Sequence, residues 1–310
     1  MEATMRCDAA ADARRDEDPV GLHRDLMRLA HARLAPAMPT DDWRERLQGE
    51  TALALREGRF LEVERARVAA VARNAPREPH AFAAWFDGLE ERGPGQHDPL
   101  FDYLADHASI AELRWFLRQE VAGEAGFDDL VALTQLRMPE QPKLELARNY
   151  WDEMGRGKPW GMHGPMLGAL AAALAIDNTP PECIVWESLA LANTLVGLAY
   201  NRRYAFHAVG ALGAVEVTAP SRARKIVAGM DRLNLDRKTS RYFRLHATVD
   251  VQHARAWRDE VVIPLVGERP ELAQPIAEGA LMRLSAGARC FARYRLELGV
   301  DEEPLARAQA

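Results

Sequence analysis

The chain has 310 residues, 48% hydrophobic and 28% charged, with a formal net charge of -6 at pH 7. That is enough apolar matter for one large core or two small ones, and the acidic balance excludes the basic footprint of a nucleic-acid binder. Cys7, Cys183 and Cys290 are scattered with no C-x-x-C pair, which argues against a disulfide framework or zinc ribbon and for a reducing, cytoplasmic setting. No uncharged apolar run reaches the ~18 residues of a membrane span. The opening Met1-Glu2-Ala3-Thr4-Met5-Arg6 lacks the apolar stretch of a signal peptide.

Residues 1 to about 18 are small, charged and aperiodic, and read as a disordered tail. Leu22, Leu26, Leu29 and Ala30 then recur at helical spacing until Pro36 and Pro39. A second helix is expected from Thr40-Asp41-Asp42 to about Arg56, and a third from Arg59 to Arg73. Together with the tail they form an N-terminal arm over residues 1–90, expected to serve packing or homodimer formation. The main domain is expected over 91–300, with a short tail at 301–310.

Helices are expected from His80 to Glu91, from Pro99 through Leu104, and from a Ser109 cap through Glu120. Others start at Phe127 and at Lys143, the latter running to Met154. Gly155, Gly157 and Pro159 break the chain before an apolar segment, Met162 to Ile176. A helix from Glu182 to Tyr200 follows, then an apolar stretch from Tyr204 ended by Pro220, a helix from Ser221 to Leu233, one from Lys238 to about Val262, and a last one from Glu271 to Leu298. Hairpin signals, period-2 runs and internal repeats are lacking, so the class is all-α.

The segment from Tyr242 to Trp257 contains His246-x-x-x-Asp250-x-x-His253. On a helix these three side chains fall within about 60° of one another. Imidazole with carboxylate suits Fe, Mn or Zn better than Ca or Mg. Glu216 closes the uncharged run Gly210-Ala211-Leu212-Gly213-Ala214-Val215, where an unpaired buried carboxylate is costly and needs a cation, Arg222 or Arg224 as partner, or a metal. Glu153 and His163 bracket the glycine break. An unbroken helix would put them about 80° out of phase, and the break lets both turn inward. With Glu120 the set comes from at least four helical segments, as in carboxylate-bridged di-metal sites of helical bundles. The Glu-x-x-His of the ferritin-like class is missing.

These motifs resemble the heme-oxygenase-like diiron oxidases and oxygenases, the iron-containing redox enzymes. The resemblance is carried by Gln119-Glu120, by Asn149-Tyr150-Trp151-Asp152-Glu153-Met154-Gly155-Arg156-Gly157 leading to His163, by Gly210 to Glu216, and by His246-x-x-x-Asp250-x-x-His253. It covers about residues 95–300 and leaves the arm out. It implies a seven-helix heme-oxygenase-like bundle without heme, holding two Fe(II) ions on Glu120, Glu153, His163, Glu216, His246, Asp250 and His253. Glu124, one turn from Glu120, is the alternative ligand. It further implies O2 as co-substrate, with an external electron donor where the reaction needs one, and weak retention of at least one iron.

For the substrate, Arg202 and Arg203 interrupt the apolar run before Glu216, and His207 follows one turn later. An inward Arg would bind a carboxylate as a bidentate fork. The expected function is N-oxygenation of an amino acid or small amine in specialised metabolism. The alternatives are a diiron oxidase that desaturates or cleaves an amino-acid or fatty-acid substrate, and a non-redox hydrolase or interaction protein on the same fold. A thiaminase-like hydrolase would need Cys183 or Cys290 as nucleophile, and a heme oxygenase would need His107 as proximal ligand.

Overall fold

The computed structural model describes residues 18–301. The tails expected at either end fall almost wholly outside the described residues. Every regular element among those residues is helical, apart from an isolated antiparallel bridge between Met154 and Met162.

Helix α1 (Pro19–Leu34) starts at Asp18, whose carboxylate accepts from the Val20 and Gly21 N–H groups, with Pro19 where a missing N–H costs nothing. Helix α2 (Trp43–Ala72) is continuous, so the break expected between Arg56 and Arg59 does not occur. A central glycine weakens a helix by only ~1 kcal/mol, and tertiary contacts on one face outweigh that. Leu61, Val68 and Ala72 are buried there, Glu57 pairs with Arg33 at 2.8 Å, and Glu64 pairs with Arg289 at 2.8 Å. The arm therefore packs on its own chain.

The rest of the chain runs through α3 (Pro79–Asp87), α4 (Leu89–Arg92), α5 (Pro99–Asp106), α6 (Ile110–Gly123), α7 (Phe127–Thr134), α8 (Glu140–Glu153) and α9 (His163–Ala173). It continues with α10 (Trp186–Tyr200), α11 (Ala205–Arg232), α12 (Arg241–Ala256), a π-helical turn (Trp257–Val262), α13 (Ile263–Glu268) and α14 (Ala273–Leu298). Ser109 and Glu112 form a reciprocal capping box at the start of α6. Pro142 sits in the first turn of α8, where proline is tolerated, so that helix begins earlier than expected.

Pro220 does not end a helix. It lies inside α11, which runs unbroken for 28 residues. Proline there removes one backbone bond, yet Ala214, Val217, Thr218 and Ala223 are buried on either side of it, and packing holds the helix together. Helix α11 is the central post, set against α14, α12 and α5. The α11–α14 crossing is close because Gly210 and Gly279 have no side chain. A Cβ on Gly210 would strike the Ile276 carbonyl, and one on Gly279 the His207 carbonyl. No described helix is long and apolar enough to cross a membrane.

Candidate metal centre

Helix α8 delivers Glu153 at its last turn. Gly155, Arg156 and Gly157 follow with φ of +61°, +53° and +77°, a left-handed run that glycine accepts readily. A Cβ at Gly155 would also meet the backbone of Gly161. This tight reversal pairs Met154 with Met162 and sets Glu153 beside His163, at the start of α9. His163 Nδ1 lies 2.6 Å from Glu153 Oε2.

Helix α12 packs along α11, which turns the His246, Asp250 and His253 face toward Glu216. His246 Nδ1 lies 2.9 Å from the Tyr242 carbonyl oxygen. The ring N–H donates to that oxygen, leaving the Nε2 lone pair free for a metal. His253 is held at Nε2, 3.3 Å from Asp152 Oδ2, while its Nδ1 faces Glu216 Oε2 at 3.5 Å. The buried Asn149 amide donates to Glu216 Oε1 at 2.8 Å. The π-helical turn begins four residues after His253, a local irregularity of the kind that recurs beside functional sites.

Two donor groups result. Glu153, His163 and His246 form one, and Glu216, Asp250 and His253 the other, with the donor atoms of each group within 4.8 Å of one another. Their electrostatics are those of a site made for cations. Burial, then repulsion from Glu216, holds Glu153 well above the usual carboxylate range. Burial, then the charges of Glu216 and Glu153, does the same to Asp250. Burial pushes His163 and His246 down to about 4, so both rings are neutral and ready to donate. At His253 burial opposes the charged ring but is outweighed by Glu216, Glu153 and Asp152, which push it up to about 9. Among the described residues Asp250 Oδ1 is buried without a hydrogen-bond partner, and the Nδ1 atoms of His163 and His253, close as they are to Glu153 and Glu216, make no well-formed hydrogen bond. Orphaned buried acceptors are costly. Mixed imidazole and carboxylate donors fit iron, and a dication in each group would satisfy the orphans and cancel the repulsion.

Glu120, expected in the ligand set, lines the same cavity as Glu153, Glu216, His246 and Asp250 but stands outside both groups. It shares a face of α6 with Glu124, one turn on, but the charges that act on it are those of Arg222 and Arg283, together with the Tyr294 hydroxyl. Glu124 is the residue whose charge reaches Glu153 and His163. Its carboxylate accepts from the Gly126 and Phe127 N–H groups at 2.8 and 3.1 Å, and burial raises its pKa.

The three residues expected at the substrate are placed elsewhere than the cavity. Arg202 donates to the carbonyl oxygens of Leu133 and Leu136 at the end of α7. Arg203 is exposed beside Glu62, and His207 is taken up by Glu278 at 3.0 Å. All three lie at the α10–α11 junction, away from the cavity of about 140 Å³ that reaches the metal groups. Glu120, Glu124, Glu153, Glu216, His246 and Asp250 line this cavity, as do Arg222, Arg283, Tyr242 and several apolar side chains.

The supporting residues Asn149 and Asp152 lie within the stretch singled out for Glu153, at i−4 and i−1. Arg222 figured only as a partner for Glu216, and Arg283 had no local signal. Neither cysteine lines the cavity. Cys290 is buried, with its thiol on the Glu187 carbonyl oxygen and its pKa pushed up to about 12 by burial, which makes it a poor nucleophile. His107 is exposed and outside the cavity.

A crystal structure of a CADD-like protein of unknown function from Nostoc punctiforme superposes with a TM-score of 0.55 at 20% identity, over 69% of this chain and 95% of that one. A domain of unknown function with a heme oxygenase-like fold from Shewanella denitrificans superposes with a TM-score of 0.50 at 14% identity, over 74% and 94%. At such identities the likeness is one of fold. No curated relative matches. The family model for iron-containing redox enzymes matches residues 114–288, more than half of the chain, a span that includes every residue of the two donor groups. The chain belongs to the iron-containing redox enzyme family and has its all-α, heme-oxygenase-like fold.

Proposed function

We propose that this protein is a non-heme diiron, O2-dependent oxygenase that acts on an amino acid or small amine. One observation carries the reading, namely the two adjacent groups of imidazole and carboxylate donors, all but His246 fully buried, with the donor atoms of each group within 4.8 Å of one another. Glu153, His163 and His246 would hold one iron, and Glu216, Asp250 and His253 the other. Glu124 stands at the cavity wall as a further carboxylate for the first. When bound, the iron pair supplies the reduction of O2, which the protein's own side chains cannot perform.

The protein's part is orientation and exclusion. Tyr242 fixes the His246 tautomer through its backbone carbonyl oxygen, and Asp152 holds His253 at the ring nitrogen facing away from Glu216. Asn149 fixes one oxygen of Glu216. Leu167, Leu191 and Phe243 close the cavity wall with apolar surface, which limits water at the reacting centre.

The test is anaerobic Fe(II) titration of the metal-free chain, followed by exposure to O2 and product analysis on a panel of amino acids and amines. Two irons per chain, an O2-dependent absorbance band and loss of that band in His246→Ala are expected. An unchanged band in His246→Ala would remove the site assignment. Oxygen incorporated at nitrogen separates N-oxygenation from desaturation or C–C cleavage.

A further inference from the structure

The same cavity has a second polar end that the metal reading does not use. Arg222 of α11 and Arg283 of α14 both line it. Arg222 Nη2 donates to Thr218 Oγ1 at 2.9 Å, and its guanidinium lies over the Phe101 and Phe291 rings. Its Nη1 is buried with no partner. Arg283 is only 9% exposed, and both Nε and Nη1 lack partners. Among the described residues neither arginine has a carboxylate within 4.0 Å of its guanidinium nitrogens or a hydrogen-bond partner for these buried atoms, whereas most buried charges are paired.

Glu120 supplies one negative charge to this end from α6. Two guanidinium groups and one carboxylate leave one positive charge over. Unspent guanidinium N–H groups in an apolar enclosure call for a planar anion, and a carboxylate meets two of them at once. Position agrees. Glu120 and Glu124 line the same cavity one helical turn apart, about 6 Å along the axis. On α11, Arg222 stands six residues beyond Glu216, about 9 Å along the axis, a span bridged by a short carbon chain.

We propose that Arg222 and Arg283 form the carboxylate clamp of the substrate site, so that the substrate carries a carboxylate at the end remote from the metal groups. This rests on the diiron reading only for the direction in which the substrate lies, and it narrows that reading by removing amines that have no carboxylate. Burial, then the neighbouring Arg283, lowers the pKa of Arg222 to about 9, and an anion between the two guanidinium groups would oppose both effects.

Binding is measured on the metal-free full-length chain by calorimetry, so that no turnover is needed. The probe pairs share a skeleton, L-lysine against 1,5-diaminopentane and hexanoate against hexanamide. Arg222→Gln, Arg283→Gln and the charge-keeping Arg222→Lys are compared with the parent. The carboxylates are expected to bind and their partners to fail. Each Gln variant should weaken carboxylate binding by about ten- to a hundredfold, with Arg222→Lys in between. Folding of each variant is read from its circular dichroism, and Arg222→Lys keeps the question answerable if Arg283→Gln does not fold. Equal binding of carboxylates to parent and Gln variants, or equal binding of both members of a pair, overturns the clamp. Failure to take up iron with carboxylate discrimination intact sinks the diiron reading alone. Normal iron uptake without discrimination sinks the clamp alone.

Discussion

Asp152 Oδ2 lies 3.3 Å from His253 Nε2, and on its other side the same carboxylate receives the Arg156 guanidinium at 2.6 Å. Asp152 immediately precedes Glu153 on α8, so one helix end supplies both a candidate ligand and the group that orients a ligand of the second donor set. Carboxylates that hold a metal-bound imidazole in this way set its tautomer and raise its basicity. On the proposed diiron reading, Asp152→Ala is expected to weaken the iron held by Glu216, Asp250 and His253 by about ten- to a hundredfold and to spare the other. Fe(II) titration with a competing chelator reads both, and equal loss of the two irons would contradict this role.

The reversal after Glu153 depends on Gly155. At φ of +61° and against the Gly161 backbone, a methyl group is both strained and obstructed. Gly155→Ala should destabilise the fold by about 1–3 kcal/mol and pull His163 away from Glu153. Denaturant unfolding and iron stoichiometry check it. Full stability with two irons bound would show that the turn has another way to close.

A pH dependence follows from the arm. His23 of α1 is buried, receives the Asn193 amide at its own carbonyl oxygen at 2.9 Å, and stacks on Trp186 at 5.7 Å. Burial, then the charge of Arg289, lowers its pKa from 6.5 to about 4. The folded value is the depressed one, so the neutral ring is the stable form. Its contribution is complete above about pH 6.5 and is lost as pH falls toward 4, by roughly 3 kcal/mol at most. Denaturant unfolding of the metal-free chain at pH 7, 6 and 5 should show this loss beyond that of His23→Gln. Parallel curves for the two proteins would exclude His23 as its source.

The α11–α14 crossing is the least forgiving contact of the core. Gly210→Ala places a methyl group against the Ile276 carbonyl, and overpacking of this kind costs about 1–3 kcal/mol. Because α11 also carries Glu216 and Arg222, the substitution should lower iron affinity along with stability. Thermal unfolding and Fe(II) titration would detect both. Lost stability at full iron affinity would show that the crossing and the site are independent.

Much of the candidate site was legible because its signals are local. His246, Asp250 and His253 share a helix face by arithmetic, and Glu216 announces itself by the cost of a carboxylate in an uncharged run. The glycine break between Glu153 and His163 marks a chain reversal. Helix ends at Ser109 and Pro99 were readable from capping chemistry for the same reason. Pro220 and the boundary expected between Arg56 and Arg59 misled, because a local break is overruled when the helix is packed against others on either side of it.

The substrate end was not legible. Arg202, Arg203 and His207 stand next to an apolar run in sequence, yet their partners are a helix end, Glu62 and Glu278. Arg222 and Arg283 lie 61 residues apart in the chain and meet only because α11 and α14 cross. Glu120 and Glu124 differ by one turn, and no periodicity says which of two residues on one face looks toward a metal and which toward an arginine. The sequence by itself determined the helical class and singled out the candidate donors and their two local patterns, since these follow from residue spacing and the cost of buried charge. Only the tertiary structure decided how the donors divide into two groups and which arginines share their cavity, because both depend on where helices distant in sequence pack against one another.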